Sequence, residues 1–266
     1  MPKPFDTLPQ SDLSKVTDFL FDIDDTVTLD GVLPREAANA LYDAAQCGVR
    51  LYAVTGRSAS WAELRLRLFP LAGAVAETGA MAFIKGKPVR VLHSENDADL
   101  RLRNAQKRKA LERDICSQIP GARMALDNMG RVYDSAFDLI EDGPLLSETS
   151  AKQIRDRLAS EGLQVAQSSV HINAWFGNFN KATMSDRLLH EVRGSGLEDN
   201  DTLLYAGDSK NDAAMFKRVH HSVGVANVAS SLEALEAIKS APRYVTEGKG
   251  GFGFAQIIGA LVKAKS

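Results

Sequence analysis

Short apolar runs that end in polar or acidic residues alternate along the chain with segments whose apolar positions fall three and four apart. Residues 16–21 form the first run and predict a buried strand. A loop through Asp30 and Gly31 leads to Pro34, which suits the first turn of a helix reaching about Gln46. Ala38, Leu41, Ala44 and Ala45 supply its buried face, and Gly48 closes it. Residues 49–54 predict a second strand, 59–68 a helix stopped by Pro70, and 71–76 a third strand. Strands and helices in alternation with short connections predict a right-handed parallel α/β sheet, Rossmann-like, with its loops gathered at the carboxyl edge.

After Gly79 the rhythm changes. Residues 81–84 and 88–93, joined around Gly86, predict an antiparallel hairpin, and 97–118 a long charged helix. A strand over 130–140 alternates Val132, Asp134, Ala136 and Asp138; a helix over 149–160 and one or two strands over 163–176 follow. Strands grouped with helices on one side predict an α+β insert at 83–178 that interrupts a core formed by 1–82 and 179–266. From Lys181 the parallel pattern resumes: helix 182–192, strand 202–206, a helix to about Val219, strand 222–225, helix 230–238 and strand 243–246. Gly248, Gly250, Gly251 and Gly253 then read as a loop that turns the chain into a final helix, in preference to a phosphate cradle.

Composition narrows the class. The chain has 266 residues, 44% hydrophobic and 25% charged, with a net charge of -2, so no global basic field points to nucleic acid or to an anionic membrane. Cys47 and Cys116 are far apart and outside any CxxC pattern, which argues against a zinc site or a disulfide framework. Residues 1–16 lack a basic start followed by an apolar run, and no stretch approaches a membrane span. The expectation is a cytoplasmic protein, and a self-contained insert makes a monomer the default.

The chemistry concentrates at strand ends. Asp22, Asp24 and Asp25 crowd the end of the first strand, where like charges repel unless a cation sits among them. Asp22 and Asp24 point the same way while strand geometry lasts, and two converging oxygens suit Mg2+, although an Asx turn explains such a cluster equally well. Thr55 and Gly56, with Arg57 after them, end the second strand; a hydroxyl and N–H groups there grip phosphate, or simply turn the chain. Gly207 and Asp208, followed by Asn211 and Asp212, end a later strand. Asp208 would complete a metal site begun at Asp22, with Asn211 and Asp212 orienting its ligands from behind; an N-capped helix is the plain alternative. Lys181 stands at the re-entry into the parallel core, placed to offset phosphate charge if it is not merely solvated.

These segments together resemble the haloacid dehalogenase-like superfamily of phosphotransferases. Asp22, Asp24 and Thr26 match its first motif, Thr55 its second, Lys181 its third, and Gly207 Asp208 with Asn211 Asp212 its fourth, in order and over nearly the whole chain. The insert between the second and third motifs resembles the type IIB cap of phosphatases acting on sucrose phosphate, trehalose phosphate and mannosyl phosphoglycerate. Residues 242–254 resemble the Tyr-Val-Thr and Gly-rich tail of that group. Two departures stand out: Asp25 where many members have Gly, and Thr78 where many have Asn.

The resemblance implies a Mg2+-dependent phosphatase of a small phosphorylated metabolite, a sugar phosphate by preference. Asp22 is then the nucleophile that forms an aspartyl-phosphate, and Asp24 the acid that protonates the leaving oxygen and later the base that deprotonates water. Thr55, Gly56 and Lys181 hold the phosphate. Asp22, Asp208 and the backbone carbonyl of Asp24 hold the metal, which revises the two-carboxylate picture, because an acid bound to the metal has no proton to give. A phosphosugar mutase would keep Asp22 and Asp24 but needs two phosphate sites. A non-catalytic phosphate-binding module would have little use for Asp22. Specificity is expected in the insert, where alternation puts His171, Asn173 and Trp175 on one face of a strand, a face open either to a polyol or to solvent. Arg101, Arg103, Lys107, Arg108, Lys109 and Arg113 on one helix read as a solvated surface.

Overall fold

The computed structural model describes residues 1–168 and 170–266. Its strands are β1 (Lys3–Pro4), β2 (Asp18–Phe21), β3 (Arg50–Val54), β4 (Leu71–Ala76), β5 (Met81–Ile84), β6 (Arg90–His93), β7 (Asp134–Asp138), β8 (Gln164–Gln167), β9 (His171–Trp175), β10 (Leu203–Gly207), β11 (His221–Gly224) and β12 (Tyr244–Val245). The helices are α1 (Gln10–Leu13), α2 (Arg35–Gln46), α3 (Ala59–Leu68), α4 (Ala98–Gln118), α5 (Glu148–Ser160), α6 (Lys181–Arg193), α7 (Ala213–Arg218), α8 (Leu232–Ala237) and α9 (Gly250–Lys265).

A nine-stranded sheet runs in the order β1-β12-β11-β10-β2-β3-β4-β5-β6. Pairing is parallel from β1 to β4 and antiparallel at β4–β5 and β5–β6. β2 lies inside it, buried along its whole length, which is why an uninterrupted apolar run encodes it. Alternation sorts its side chains between the two helical layers. Phe19 and Phe21 meet Phe254 of α9, with ring centroids 5.5 and 4.9 Å away, while Leu20 joins the opposite cluster with Leu188 of α6 and Tyr205 of β10. Register pairs Phe21 with Ala53 on one side and with Ala206 on the other. The polar termini of β2, β3 and β10 therefore emerge side by side at the carboxyl edge, where the order switches direction and ligands bind in open α/β sheets.

The second sheet is three-stranded, β7-β9-β8, and antiparallel. It buries Phe137, Ile172 and Ala174 against Ile115 of α4 and Ile154 and Leu158 of α5. The boundary expected at residue 83 cuts through β5, and the hairpin it assigned to the insert instead extends the large sheet. We place the insert between β6 and α6. The strand expected over 130–140 is confined to Asp134–Asp138, because a 3-10 turn occupies Leu126–Gly130. Nor does the basic helix keep all its cations in solvent. Arg108 is buried and donates to the carbonyls of Asp134 and Val132.

The glycines after β12 also differ from expectation, since Gly250, Gly251 and Gly253 lie inside α9. A Cβ on Gly251 would stand 2.5 Å from the Val27 carbonyl oxygen, so these glycines let α9 press on the loop after β2. At the end of β4, Glu77, Thr78 and Gly79 take φ values of 49°, 58° and 106°. Thr78, β-branched and left-handed, is strained there, whereas Asn tolerates this region. Asp25, with φ 55°, occupies the same region at lower cost. Thr78→Asn should stabilise the protein by about 1 kcal/mol, read as a rise in thermal midpoint. An unchanged or lower midpoint would show that the Thr78 side chain supplies a compensating contact.

Candidate active site

The carboxyl ends of β2, β3, β4 and β10 line a cleft of about 420 Å³ that the insert roofs. Asp22 leaves β2 at its floor, 3% exposed. The Ile23 N–H donates to its Oδ1 at 2.7 Å, and Lys181 Nζ lies 2.8 Å from its Oδ2. Lys181 opens α6, whose start is fastened by the Asn180 and Thr183 capping box. Its ammonium also donates to Asp212 Oδ1 at 2.8 Å and to Asn211 Oδ1 at 3.0 Å. Burial disfavours that charge, but Asp212 and Asp22 outweigh burial and hold the Lys181 pKa above the ordinary lysine range.

Carboxylate oxygens of Asp22, Asp208 and Asp212 lie within 4.8 Å of one another. Burial pushes Asp22 up to about 7, opposed by Lys181 and reinforced by Asp212 and Asp24. Burial, then Asp212 and Asp22, pushes Asp208 up to about 9. Such crowding is what an oxygen-seeking dication relieves, so the donor set fits Mg2+. Asp212 is already committed. Lys181 and the Tyr205 hydroxyl donate to its Oδ1, and the N–H groups of Asp208 and Ser209 to its Oδ2 at 2.9 and 3.1 Å. Asp22 and Asp208 both line the cleft and are the carboxylates left to hold a metal, with Asp212 and Asn211 bracing Lys181 behind them.

The sign of the proton linkage follows. Asp22 and Asp208 have folded pKa values raised above the unfolded carboxylate range near 3.9, so the metal-free fold binds extra protons and loses stability as pH rises from about 4 through about 7 to about 9. A dication needs the deprotonated groups. In EDTA the thermal midpoint should therefore fall on going from pH 5.5 to 8, and added Mg2+ should raise it more at pH 8 than at pH 5.5. Equal Mg2+ shifts at both pH values would mean the ion binds elsewhere.

Asp24 departs from the side-chain ligand first read from strand spacing. Its carboxylate faces Arg57, which donates Nε to Oδ2 at 2.9 Å and Nη2 to Oδ1 at 2.9 Å. Arg57 also grips Glu141 of the insert through Nη1 and Nη2, at 2.8 and 2.7 Å, so one guanidinium bridges the two sheets' domains. Glu141 is held down at about 2, chiefly by His171 beside it and then by Arg57. Thr55 is fully buried and its hydroxyl accepts the Arg57 N–H at 3.0 Å, whereas Gly56 lines the cleft. Trp175 leaves the cleft to stack on Phe179, with centroids 5.6 Å apart; His171 and Asn173 stay.

Two residues at or beside the site, Asn227 and Glu77, had no role in the sequence reading. Asn227 follows β11 and ties the Asp25 carbonyl, at 2.8 Å, to Asp208 Oδ2, at 3.4 Å, while accepting the Gly250 N–H. Glu77 fastens the insert to the core. Its carboxylate accepts the N–H groups of Ala59, Val132, Tyr133 and Asp134. Position just past a strand's carboxyl end was the available signal for both.

The site is thus a parallel sheet whose strand ends collect carboxylates around one buried lysine, roofed by an α+β insert. A family model of haloacid dehalogenase-like hydrolases matches residues 124–255. No curated protein matches the chain. Among solved structures, the C-terminal domain of trehalose-6-phosphate phosphatase from C. albicans is 16% identical, covers 98% of each chain and superposes with a TM-score of 0.72. A Thermoplasma acidophilum protein is 17% identical over 92% of this chain and 98% of that one, with a TM-score of 0.71. The sucrose-phosphatase from Synechocystis, solved with sucrose and phosphate, is 17% identical over 92% and 97%, with a TM-score of 0.60. Among the described residues no helix is long and apolar enough to cross a membrane.

Proposed function

We propose that this chain is a Mg2+-dependent phosphatase that hydrolyses a small phosphorylated metabolite, a sugar phosphate, through an aspartyl-phosphate on Asp22. One observation carries this reading: the buried Lys181–Asp22 pair at 2.8 Å, set beside Asp208 at the floor of a cleft. A lysine 1% exposed between two carboxylates serves folding poorly compared with apolar packing, and serves chemistry well. The neighbouring phosphatases named above support the same reaction class.

The Ile23 N–H and Lys181 hold the Asp22 carboxylate in a fixed direction. Lys181 lowers the repulsion between that carboxylate and a phosphate dianion. Asp22, Asp208 and the Asp24 carbonyl would hold Mg2+, which when bound polarises a phosphoryl oxygen and neutralises charge. Asp22 attacks phosphorus while the leaving oxygen takes a proton from Asp24; a water then gives its proton to Asp24, attacks the acyl phosphate and returns Asp22 to its carboxylate. Asp24 is engaged by Arg57 in the arrangement described, so Arg57 must release it before the first transfer. The N–H groups of Asp24 and Gly56 receive phosphate oxygens.

The test is phosphate release from a panel of sugar phosphates and phosphoglycosides in Mg2+ and in EDTA. Release is expected in Mg2+ and its loss in EDTA. Release that is indifferent to EDTA would sink the metal assignment, and silence across the panel would remove the sugar-phosphate reading.

A further inference from the structure

Two polar side chains of the insert face the cleft, each backed by a carboxylate. Asn173 is 7% exposed and His171 3%, and both line the cleft. Asn173 Nδ2 donates to Asp134 Oδ2 at 2.9 Å. A carboxylate only accepts, so this bond sets the amide's orientation and leaves Oδ1 as the outward atom. His171 Nε2 lies 2.9 Å from Glu141 Oε2, a close contact outside hydrogen-bond geometry, so this carboxylate backs the ring. Neither Asn173 Oδ1 nor His171 Nδ1 has a hydrogen-bond partner among the described residues. The register sets Ala136 and Ala166 opposite Asn173 on the flanking strands, and their small side chains leave the amide room to meet a ligand.

Charge is neutralised on this side. Glu141 is taken by Arg57 and His171, and Asp134 by Arg131 at 2.8 Å and by Asn173. The insert's lining residues among those described, Ala166, Gln167, Ser168, Val170, His171 and Asn173, include no Lys, Arg, Asp or Glu. At about 420 Å³ the cleft lies near the small end of the ~300–1,000 Å³ range of ligand sites, and phosphate with its metal takes part of that space. The Asp24–Arg57–Glu141 bridge walls one side.

We propose that His171 and Asn173 are the specificity-determining residues of the insert, hydrogen-bonding hydroxyls of an uncharged leaving group of monosaccharide size. This rests on the phosphatase reading above. A site built to hydrogen-bond hydroxyls discriminates strongly against a leaving group without them, because its buried polar groups are then left unpaired.

The experiment compares hexose 6-phosphates (glucose, mannose and galactose) with phenyl phosphate, in the unmodified protein and in Asn173→Leu and His171→Gln. The best hexose phosphate should exceed phenyl phosphate in kcat/KM. Each substitution should lower that ratio at least tenfold, through KM for the sugar. A ratio near one in the unmodified protein, or equal losses on both substrates, overturns the assignment. Binding is read separately in Asp22→Asn with Mg2+, as the rise in thermal midpoint from hexose 6-phosphate beyond that from inorganic phosphate. Adding Asn173→Leu should abolish the excess; an excess that persists, or none at the start, overturns the assignment. If no ester is hydrolysed, the phosphatase reading fails while this binding comparison still decides the role of His171 and Asn173.

Discussion

Asp22→Asn is expected to lower metal-dependent phosphate release by at least ~10³-fold, the scale on which loss of a covalent nucleophile is felt. The substitution keeps the side chain's volume and an acceptor for the Ile23 N–H. It removes a charge from the carboxylate cluster, and Lys181 retains Asp212 as its partner. The fold should therefore persist, and above pH 7 in EDTA its thermal midpoint should match or exceed that of the unmodified protein, because burial of an ionised Asp22 is relieved. Steady-state release and a melting curve on the same sample separate the two effects. A loss of turnover below tenfold with the fold intact would exclude a covalent intermediate on Asp22.

The other large effect is structural. Glu77→Ala should cost on the order of 4 kcal/mol or more, in the exceptional range for a single substitution. Both oxygens of Glu77 are saturated: Oε1 accepts from Ala59 and Val132 at 3.0 and 2.9 Å, and Oε2 from Tyr133 and Asp134 at 2.6 and 3.0 Å. Three of those donors begin β7 or lead into it, so one core carboxylate pins the insert. Removing it strands four N–H groups, each costing about 1–3 kcal/mol if left buried and unpaired. Glu77→Gln should rescue little, since its amide N–H₂ must face two of the donors. Denaturant melts read the cost; a loss below about 1 kcal/mol would show that water replaces the anchor.

Much of the cleft floor was legible in sequence because each part is local. A buried strand has a continuous apolar signature, and an acidic residue just past it has to stand at the sheet's edge. Asp22, Lys181 and Asp208 were readable in this way, and the structure brings them together. Asp212 was read as a carboxylate at a helix start, and its bonds go to Lys181, Tyr205 and the N–H groups of Asp208 and Ser209. Asp24 shows the limit: strand alternation aimed it with Asp22, but strand geometry ends at Phe21 and Arg57 turns its carboxylate elsewhere. The β5–β6 hairpin shows another. Its sequence states that two strands pair, and nothing local states which sheet they extend.

By itself the sequence determined the alternating α/β order, the interruption by an α+β segment, and the acidic strand ends with their lysine, since these follow from periodicity and from residues a few positions apart. Only the tertiary structure decided which long-range partners those residues take. The Arg57 bridge from Asp24 to Glu141, the grip of Glu77 on residues 132–134, and the carboxylate backing of His171 and Asn173 join groups thirty or more residues apart. The physical reason is that hydrogen bonds and ion pairs depend on distance and angle, which local propensity does not encode, and only the packed fold supplies them.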